Sequence, residues 1–196
     1  VEFPDYKANR QATPSDLITQ KEAIIHFTEA ARIASTAKQG HEADDLIYSL
    51  IKEHKNIPIT IVTGDKDLQQ LLDGNVTVLD PFKGRTITSE SFIQERGFQP
   101  SELLLYHALL GDSSDNIPGV KGIGAKTAQS LAQTYHTIEE LYDNVEKVSP
   151  QRIKDLLIEQ KENALLSANL FTLRYHPTAI SLNDIGCDKS CWSKTA

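Results

Sequence analysis

The chain has little cysteine, no long apolar run and no excess of basic residues. Its 196 residues include two cysteines, Cys187 and Cys191, which lie near the C-terminus without a second pair. They support neither a disulfide framework nor a structural zinc site, and a reducing compartment fits them best. No apolar segment approaches the length needed to cross a bilayer, so we expect one soluble domain with at most a small appendage.

The charge balance is acidic, with 27 Asp and Glu residues against 20 Lys and Arg and a formal net charge of -7. DNA-binding proteins usually carry a basic excess, which at first argues against nucleic acid as a partner. The position of the charges changes this conclusion. Seven carboxylates lie in three short groups, and bound divalent ions would offset several of those charges. The rest of the chain is nearly balanced, so a nucleic-acid partner is compatible with the composition.

The three acidic groups, at residues 42–45, 64–67 and 111–116, each lie where one apolar segment ends and another begins. Each has an ordinary explanation when taken alone. Acids in a first helical turn interact with the helix dipole by about 0.3–1 kcal/mol each, and Asp-rich turns are common. Carboxylates that meet at one pole of an α/β sheet, however, repel one another unless they are protonated or metal-bound. Together the groups predict a site for Mg²⁺ or Mn²⁺.

Two helices are predicted before residue 55. Residues 13–16 have the hydroxyl, proline and acid of a helix start, and an apolar face should pack inward as far as the break at 39–40. The members of this face are Leu17, Ile24, Ile25, Ala31 and Ala34. The second helix carries an apolar stripe formed by Leu46, Ile47, Leu50 and Ile51. Asp44 and Asp45 then fall in its first turn, with Glu42 just before it.

A strand, a short helix and a second strand follow. Residues 57–63 are β-branched and nearly all apolar, which is typical of a buried parallel strand. Residues 68–72 predict a short helix, and residues 76–79 predict the next strand. In open α/β sheets, ligands gather beyond the carboxyl ends of the strands. Asp65 and Asp67 come directly after the first strand, so their position agrees with metal-binding chemistry.

The chain is predicted to be helical from about Ser89, after a basic turn at residues 82–85. Apolar periodicity and capping signals place helices at residues 103–110, 125–135, from 137, and from 150 to about 173. The first of these is strongly apolar and ends at Gly111. The tail beyond residue 182 is expected to be poorly ordered.

Closely spaced glycines occupy residues 119–127, ahead of the predicted helix that holds Lys126 and Thr127. Backbone amides exposed at such a helix start bind phosphate. The Walker pattern requires Lys directly after its second glycine, whereas Ala125 separates Gly124 from Lys126, which disfavours ATP binding. A hairpin that holds a duplex backbone without reading sequence suits the glycines and lysines. A purely structural helix-hairpin-helix turn is the alternative.

Taken in order, these motifs resemble the 5′ nuclease (flap endonuclease or 5′-3′ exonuclease) domain of the bacterial DNA polymerase I family. The matching stretches are residues 6–10, 42–45, 63–67, 111–120 and 121–128. The resemblance implies an α/β fold, with a parallel-sheet, PIN-like nuclease core followed by a helical helix-3-turn-helix region. The implied bounds are 1–88 for the core with part of a helical arch at about 5–35, 89–182 for the helical region with its helix-hairpin-helix element at about 111–136, and 183–196 for a tail.

The resemblance also implies roles for individual residues. Glu42 and Asp44 match ligands of one metal ion. The matches to ligands of a second metal ion, or to partners of its waters, are Asp45, Asp65, Asp67, Asp112 and Asp115. Lys7 and Arg10 match a catalytic basic pair on the arch that steers and polarises the scissile phosphate; without that match they would be interpreted as a solvated turn. The duplex-holding element, which in the family often carries K⁺ on backbone carbonyls, matches Lys121, Gly122, Gly124, Lys126 and Thr127.

The implied activity is hydrolysis of DNA phosphodiesters by two Mg²⁺ ions, or Mn²⁺, in replication and repair. The expected partner is DNA with a 5′ flap, a nick or a duplex end, or an RNA primer, with no membrane involved. A monomer in the bacterial cytoplasm, associated with the nucleoid, is expected. Two other classes stay open: a catalytically impaired nucleic-acid-binding module, and a small-molecule phosphohydrolase that would leave residues 119–127 without a role.

The sequence departs from the family at its start. Family members begin with a strand that carries an Asp near its end, and a later strand ends in a second Asp before the arch. Both strands would precede Val1, so the sequence is expected to be a fragment of a longer protein or a truncated product. Absence of these interior strands would leave apolar sheet edges unpaired.

Overall fold

A computed structural model of the chain describes residues 3–10, 12–178 and 180. The predicted tail at 183–196, with Cys187 and Cys191, lies outside the described residues. The chain forms two compact units that do not follow chain order. The first combines the N-terminal stretch up to Arg10 with Lys55–Thr172, and the second combines Gln11–His54 with the chain from Leu173 onward. The predicted domain bounds stay a prediction.

The helices are α1 (Ser15–Ala30), α2 (Ala43–Glu53), α3 (Ser89–Arg96), α4 (Leu103–Leu110), α5 (Ala125–Tyr135), α6 (Ile138–Asp143), α7 (Gln151–Glu159) and α8 (Lys161–Phe171). The strands are β1 (Ile59–Val62), β2 (Val76–Asp80) and β3 (Arg85–Ile87). Short 3₁₀ helices span Asp67–Leu71, Pro100–Glu102 and Val145–Lys147. Within the described ranges, none of these helices combines the length and apolar character of a bilayer-spanning segment.

The sheet of the first unit has the order β1-β2-β3. β1 and β2 are parallel, with Ile59 opposite Val76, as the strand-helix-strand pattern predicts. β2 and β3 are antiparallel, with Val78 opposite Ile87. The sheet is therefore mixed, whereas a parallel sheet was predicted. The difference is β3, which was not predicted from the sequence. That strand is three residues long and only Ile87 is buried, so it lacks the apolar pattern that reveals a strand.

β1 is less buried than its apolar sequence predicts. Ile61 is buried, but Thr60 is exposed and the Val62 side chain is 63% exposed. The sheet order explains this difference, because among the described residues β1 has a strand neighbour on one side only. The prediction of a fully buried strand is therefore wrong, while its parallel pairing is confirmed.

The helical part of the first unit is built around α4, which packs against α5 and α8. Leu103, Leu105 and Leu109 of α4 are almost completely buried, as expected for a helix that is apolar all round. The bounds of α4 and α5 agree with the prediction. The predicted long last helix is wrong, because it is interrupted at Gln160 (φ -111°, ψ 26°) between α7 and α8.

In the second unit, α2 confirms its prediction and α1 departs from it. Leu46 and Ile51 of α2 are buried. α1 begins at Ser15 but ends at Ala30, and it contains no buried residue. Of the predicted inward face only Ala31, just past the helix, is clearly buried, whereas Leu17 is 53% and Ile24 61% exposed. Periodicity shows which residues share a face, but it does not show whether another element covers that face.

Candidate metal and nucleic-acid site

Two of the predicted acids of the first unit lie in the loop after β1. The Asp65 amide donates to Thr63 Oγ1 at 2.9 Å, and Asp65 Oδ1 accepts the Asp67 amide at 2.9 Å. These bonds form an Asx-type turn that fixes the loop between strand and 3₁₀ helix. Both acids therefore lie at the carboxyl end of a parallel strand, where the sequence analysis placed them.

His107 of α4 lies among the predicted acids. Its Nε2 is 3.4 Å from Asp67 Oδ1, and the carboxylates of Asp65 and Asp112 interact electrostatically with its ring. The contact with Asp67 lacks hydrogen-bond geometry, since Nε2 is buried without a hydrogen-bond partner. One predicted acid, Asp67, thus lies close to the imidazole, and Asp65 and Asp112 act on it electrostatically.

Burial, helped by the positive charge of Arg96, lowers the pKa of His107 to about 4, against the opposing effect of Asp112 and Asp65. The ring is therefore neutral at pH 7, and it does not compensate the nearby carboxylates. His107 was not among the residues predicted from the sequence. The one available signal was a histidine within the otherwise apolar helix α4.

Asp112 is held ionised by its own loop. Its Oδ1 accepts the Ser114 amide at 2.7 Å and the Ser114 hydroxyl at 2.6 Å. Burial alone would raise the pKa of Asp112, but these hydrogen bonds outweigh it and the pKa lies below its ordinary value. Carboxylate oxygens are the ligands that Mg²⁺ and Mn²⁺ prefer, so the chemistry of Asp65, Asp67 and Asp112 fits the predicted ion.

Two glycines close the loop that carries Asp112. Gly111 and Gly119 have φ of 73° and 60°, a region that favours glycine. A Cβ on Gly119 would lie 2.5 Å from the amide nitrogen of Gly111, and a Cβ on Gly111 would lie 2.6 Å from the Ile117 carbonyl oxygen. The Gly119 amide also donates to the buried Ser167 hydroxyl at 3.0 Å. Within the motif at 111–119, the two glycines are therefore needed for close backbone contact, independently of any role of the acids.

Asp115 lies with the two predicted catalytic basic residues. Its Oδ1 accepts from Arg10 Nη2 at 2.6 Å and from Arg10 Nε at 2.9 Å. The Lys7 amide donates to the Asp115 carbonyl at 2.9 Å, and Lys7 Nζ is 3.9 Å from Asp115 Oδ2. Asp115 therefore holds the basic pair in this structure, a role that the sequence analysis did not foresee. Its assignment to a metal ion stays a prediction.

The remaining predicted acids belong to the second unit. Glu42 directly precedes α2, and Asp44 and Asp45 lie in its first turn, which confirms their predicted position. Asp45 Oδ1 accepts the Arg174 amide at 2.8 Å. Across residues 3–10, 12–178 and 180, no three Asp, Glu, His or Cys side chains are placed so that they could hold a metal ion between them. The donor chemistry fits a hard cation, but the individual ligand roles stay predictions.

The predicted duplex-holding hairpin precedes α5. Gly122 has φ of 99°, and Gly124 caps α5 without any side-chain hydrogen bond. Ile123 is buried, whereas Lys121 and Lys126 are exposed. Buried Ile123 anchors the turn, and the exposed glycines leave the helix start accessible to phosphate. The hairpin has the form that the sequence analysis predicted, and its role in binding stays a prediction.

The hairpin is locked by Gln160, which lies at the break between α7 and α8. Gln160 Oε1 accepts the Lys121 amide at 2.8 Å, and its Nε2 donates to the Lys121 carbonyl at 3.0 Å. The side chain of Gln160 thereby pairs with both backbone polar groups of Lys121, as a neighbouring strand would. No sequence signal marked Gln160, because a polar residue inside a helical pattern is usually solvated.

We predict that Gln160→Ala weakens duplex affinity by about 3- to 10-fold, since two hydrogen bonds of about 1 kcal/mol each stop ordering the hairpin. Fluorescence anisotropy with a labelled duplex measures the change. Gln151→Ala on α7 is the matched control, because the side-chain amide of Gln151 donates to the exposed Asp155 and not to the hairpin. Equal affinity of the two variants would contradict a positioning role for Gln160.

Comparison with known families agrees with this geometry. Residues 1–98 match the model of the 5′-3′ exonuclease N-terminal resolvase-like domain, and residues 98–191 match that of the 5′-3′ exonuclease C-terminal SAM fold. The chain belongs to the 5′-3′ exonuclease family. The predicted family and the predicted fold class, an α/β nuclease core followed by a helical region, are therefore confirmed.

The chain matches part of relatives that are longer than it is. It is 40% identical over 191 residues to DNA polymerase I of Lactococcus lactis subsp. cremoris, covering 93% of this chain and 22% of that protein. It is 36% identical over 201 residues to the 5′-3′ exonuclease of Buchnera aphidicola subsp. Schizaphis graminum, covering 98% of this chain and 70% of that protein. The chain thus spans about a fifth of the polymerase relative.

A solved structure shows the same fold. The flap endonuclease of bacteriophage T5, in a pseudo-enzyme-product complex with DNA and metal ions, aligns with a TM-score of 0.75. The alignment covers 87% of this chain and 68% of that one, at 20% identity.

Proposed function

We propose that this chain acts as a structure-specific 5′ nuclease, which hydrolyses DNA phosphodiesters near the junction between single strand and duplex. The observation that carries the proposal is the position of Asp65 and Asp67 at the carboxyl end of β1, with Asp67 Oδ1 3.4 Å from Nε2 of His107. Family membership supports it, as does the naming of relatives as exonucleases. A T5 structure of the same fold contains both DNA and metal ions.

Hydrolysis of a phosphodiester needs positive charge that stabilises the negative charge of the transition state. Two divalent ions, Mg²⁺ or Mn²⁺, would activate water and stabilise the negative charge on the phosphoryl and leaving-group oxygens. The metal ligands proposed in the first unit are Asp65, Asp67, Asp112 and Asp115, and those proposed in the second unit are Glu42, Asp44 and Asp45. The low pKa of Asp112 keeps that carboxylate charged well below neutral pH. The neutral His107 adds no competing cation within the group.

The basic residues divide into two groups by their expected contact with DNA. Lys7 and Arg10, held by Asp115, would meet the scissile phosphate and draw charge from it. The hairpin residues would hold the duplex backbone without reading its sequence, with K⁺ on the carbonyls. These residues are Lys121, Gly122, Gly124, Lys126 and Thr127.

We extend the proposal to the biological setting. The substrates would be 5′ flaps, nicks, duplex ends and RNA primers that arise in replication and repair. The chain would act as a monomer in the bacterial cytoplasm, close to the nucleoid. Gel filtration of the chain with and without a flap oligonucleotide tests the stoichiometry.

A panel of oligonucleotides tests the activity. A 5′-labelled flap, a nicked duplex, a blunt duplex and a single strand are incubated with Mg²⁺ and, separately, with EDTA. The proposal predicts a metal-dependent cut close to the junction of the flap. Cleavage of the single strand alone, or of free phosphate esters without any duplex affinity, would instead indicate a different phosphohydrolase.

A binding module without cleavage is the second candidate. The ion pair between Asp115 and Arg10 favours this candidate. In that pair a predicted metal ligand and a predicted catalytic cation bind each other. This candidate predicts salt-sensitive flap binding and no cut at any Mg²⁺ concentration. The same oligonucleotide panel separates the two candidates.

Lys126→Ala should weaken duplex affinity about 3- to 10-fold and lower the salt dependence of binding by about one counterion, since one phosphate contact is lost. Anisotropy titrations at several KCl concentrations measure both quantities. Lys147→Ala is the matched control, because Lys147 is exposed and its amine donates to the Asn144 side chain. An unchanged salt slope for Lys126→Ala would remove this lysine from the DNA contact.

A further inference from the structure

The turn between β2 and β3 carries an aromatic ring in solvent. Phe82 is 87% exposed, more than any other large apolar side chain in the described part of the chain. Its ring lies against the backbone of Gly64: a Cβ on Gly64 would be 2.7 Å from Phe82 Cε2 and 2.8 Å from Cδ2. Gly64 directly precedes Asp65, so the ring lies beside the loop that carries the proposed metal ligands.

The backbone, rather than packing of the ring, fixes the position of Phe82. Asp80 is only 7% exposed, and its Oδ1 accepts the Phe82 amide at 3.0 Å and the Lys83 amide at 3.1 Å. Gly84 then reverses the chain with φ of 60°. The turn is therefore held by hydrogen bonds, and apart from its contact with Gly64 the aromatic side chain faces solvent.

Two cations, Lys83 and Arg85, follow Phe82 in the sequence. Lys83 Nζ is 3.5 Å from Asp80 Oδ2, and Arg85 Nη1 is 3.1 Å from Glu95 Oε2. Their side chains are 55% and 46% exposed, respectively. Arg85 and Glu95 are both exposed, and such pairs are weak, usually below about 1 kcal/mol. Arg85 is therefore available to a phosphate backbone, and the Lys83 side chain also reaches solvent although its partner Asp80 is buried. An exposed ring on a segment that also carries exposed cations is typical of surfaces that bind unpaired nucleotides.

We propose that Phe82 stacks on an unpaired nucleobase of the substrate strand, beside the phosphodiester that is cleaved, with Lys83 and Arg85 contacting neighbouring phosphates. The inference rests on the proposed nuclease function. Every base has a π face, so stacking of this kind holds the strand without selecting its sequence. The ring touches the Gly64 backbone, which places the stacked base next to the Asp65 loop.

A substitution series at Phe82 separates stacking from simple apolar contact. Affinity for a 5′-flap oligonucleotide in EDTA is measured by anisotropy for Phe82→Trp, Phe82→Leu and Phe82→Ala. Stacking predicts that Trp preserves affinity, whereas Leu and Ala both weaken it about 10-fold. Affinity preserved in Phe82→Leu would overturn the proposal and indicate an apolar partner surface instead.

An abasic scan identifies the base. Abasic sites are introduced one at a time across the unpaired strand and the junction, and each oligonucleotide is titrated with wild type and with Phe82→Ala. Stacking predicts one position at which the abasic substitution removes the penalty of Phe82→Ala, because the two changes delete the same contact. A penalty that is absent, or that persists at every abasic position, would overturn the proposal.

The wild-type titration separates the failure of this inference from that of the proposed function. Wild type that binds and cuts the flap, with Phe82→Ala unchanged in both, removes the stacking role and leaves the nuclease function in place. Wild type without salt-sensitive affinity for any oligonucleotide removes the nuclease function, and the stacking role falls with it. Thermal unfolding of Phe82→Ala should match wild type, since the ring is almost fully exposed.

Discussion

Asp67→Ala is expected to slow cleavage of a 5′ flap by about 10³-fold or more, and to change flap affinity by less than about 3-fold. Metal ions contribute several kcal/mol of charge stabilisation in phosphodiester hydrolysis, and each 1.36 kcal/mol corresponds to about a tenfold change in rate. Asp67 begins the 3₁₀ helix after β1 and lies 3.4 Å from His107 Nε2. Loss of its carboxylate removes one of the proposed metal ligands and leaves the hairpin at 121–127 intact.

Single-turnover cleavage in Mg²⁺ and anisotropy in EDTA measure the two effects separately. Asp143→Asn is the matched control, because Asp143 is an exposed acid at the end of α6, outside the three acidic groups. It should cleave at the wild-type rate. Activity retained in Asp67→Ala would remove this residue from the metal site, and a parallel loss of affinity would assign it to DNA binding instead.

Gly119→Ala is expected to destabilise the protein by about 2–4 kcal/mol. The φ of 60° at this position costs a non-glycine residue about 1 kcal/mol or more. The added Cβ would also lie 2.5 Å from the Gly111 amide nitrogen and 2.6 Å from the Leu110 carbonyl carbon. Both contacts are to backbone, so α4 and the loop at 111–119 must separate, and overpacking of this kind costs about 1–3 kcal/mol.

Urea or thermal unfolding measures this loss of stability. Gly74→Ala is the matched control, because a Cβ there meets no heavy atom within 4 Å and the position has no positive φ. That variant should be neutral or slightly more stable, as the unfolded chain loses freedom. A Gly119→Ala protein that unfolds with the wild-type midpoint would show that the close approach of Gly119 to Gly111 is not required.

Much of the first unit could be predicted from local sequence. The β-branched run at 59–62, the apolar helix α4 and the glycine before α5 have strong local signals, and their predicted positions agree with the structure. Asp65 and Asp67 were placed at a strand end by the same reasoning, and they lie there. These features depend on residues that are close together in the sequence, so the sequence alone was enough to predict them.

Features that depend on distant contacts could not be predicted. The exposed face of α1 follows from the lack of a covering element in the described part of its unit, and the break at Gln160 is accompanied by a hydrogen-bonded pair with Lys121, 39 residues away. The role of Asp115 as an anchor for Arg10 joins residues 105 positions apart. β3 was missed for another reason, since three residues are too few to establish a period of two.

We propose above all that the acidic residues and the hairpin act together in the cleavage of DNA. The most direct test is the length of the labelled product released from a 5′ flap by the wild-type chain across a titration of Mg²⁺. We predict a product that ends within a nucleotide or so of the junction, whose rate rises with Mg²⁺ and falls to background in EDTA, as expected for metal-assisted hydrolysis. Tight, salt-sensitive binding of the flap with no product at any Mg²⁺ concentration would contradict the claim.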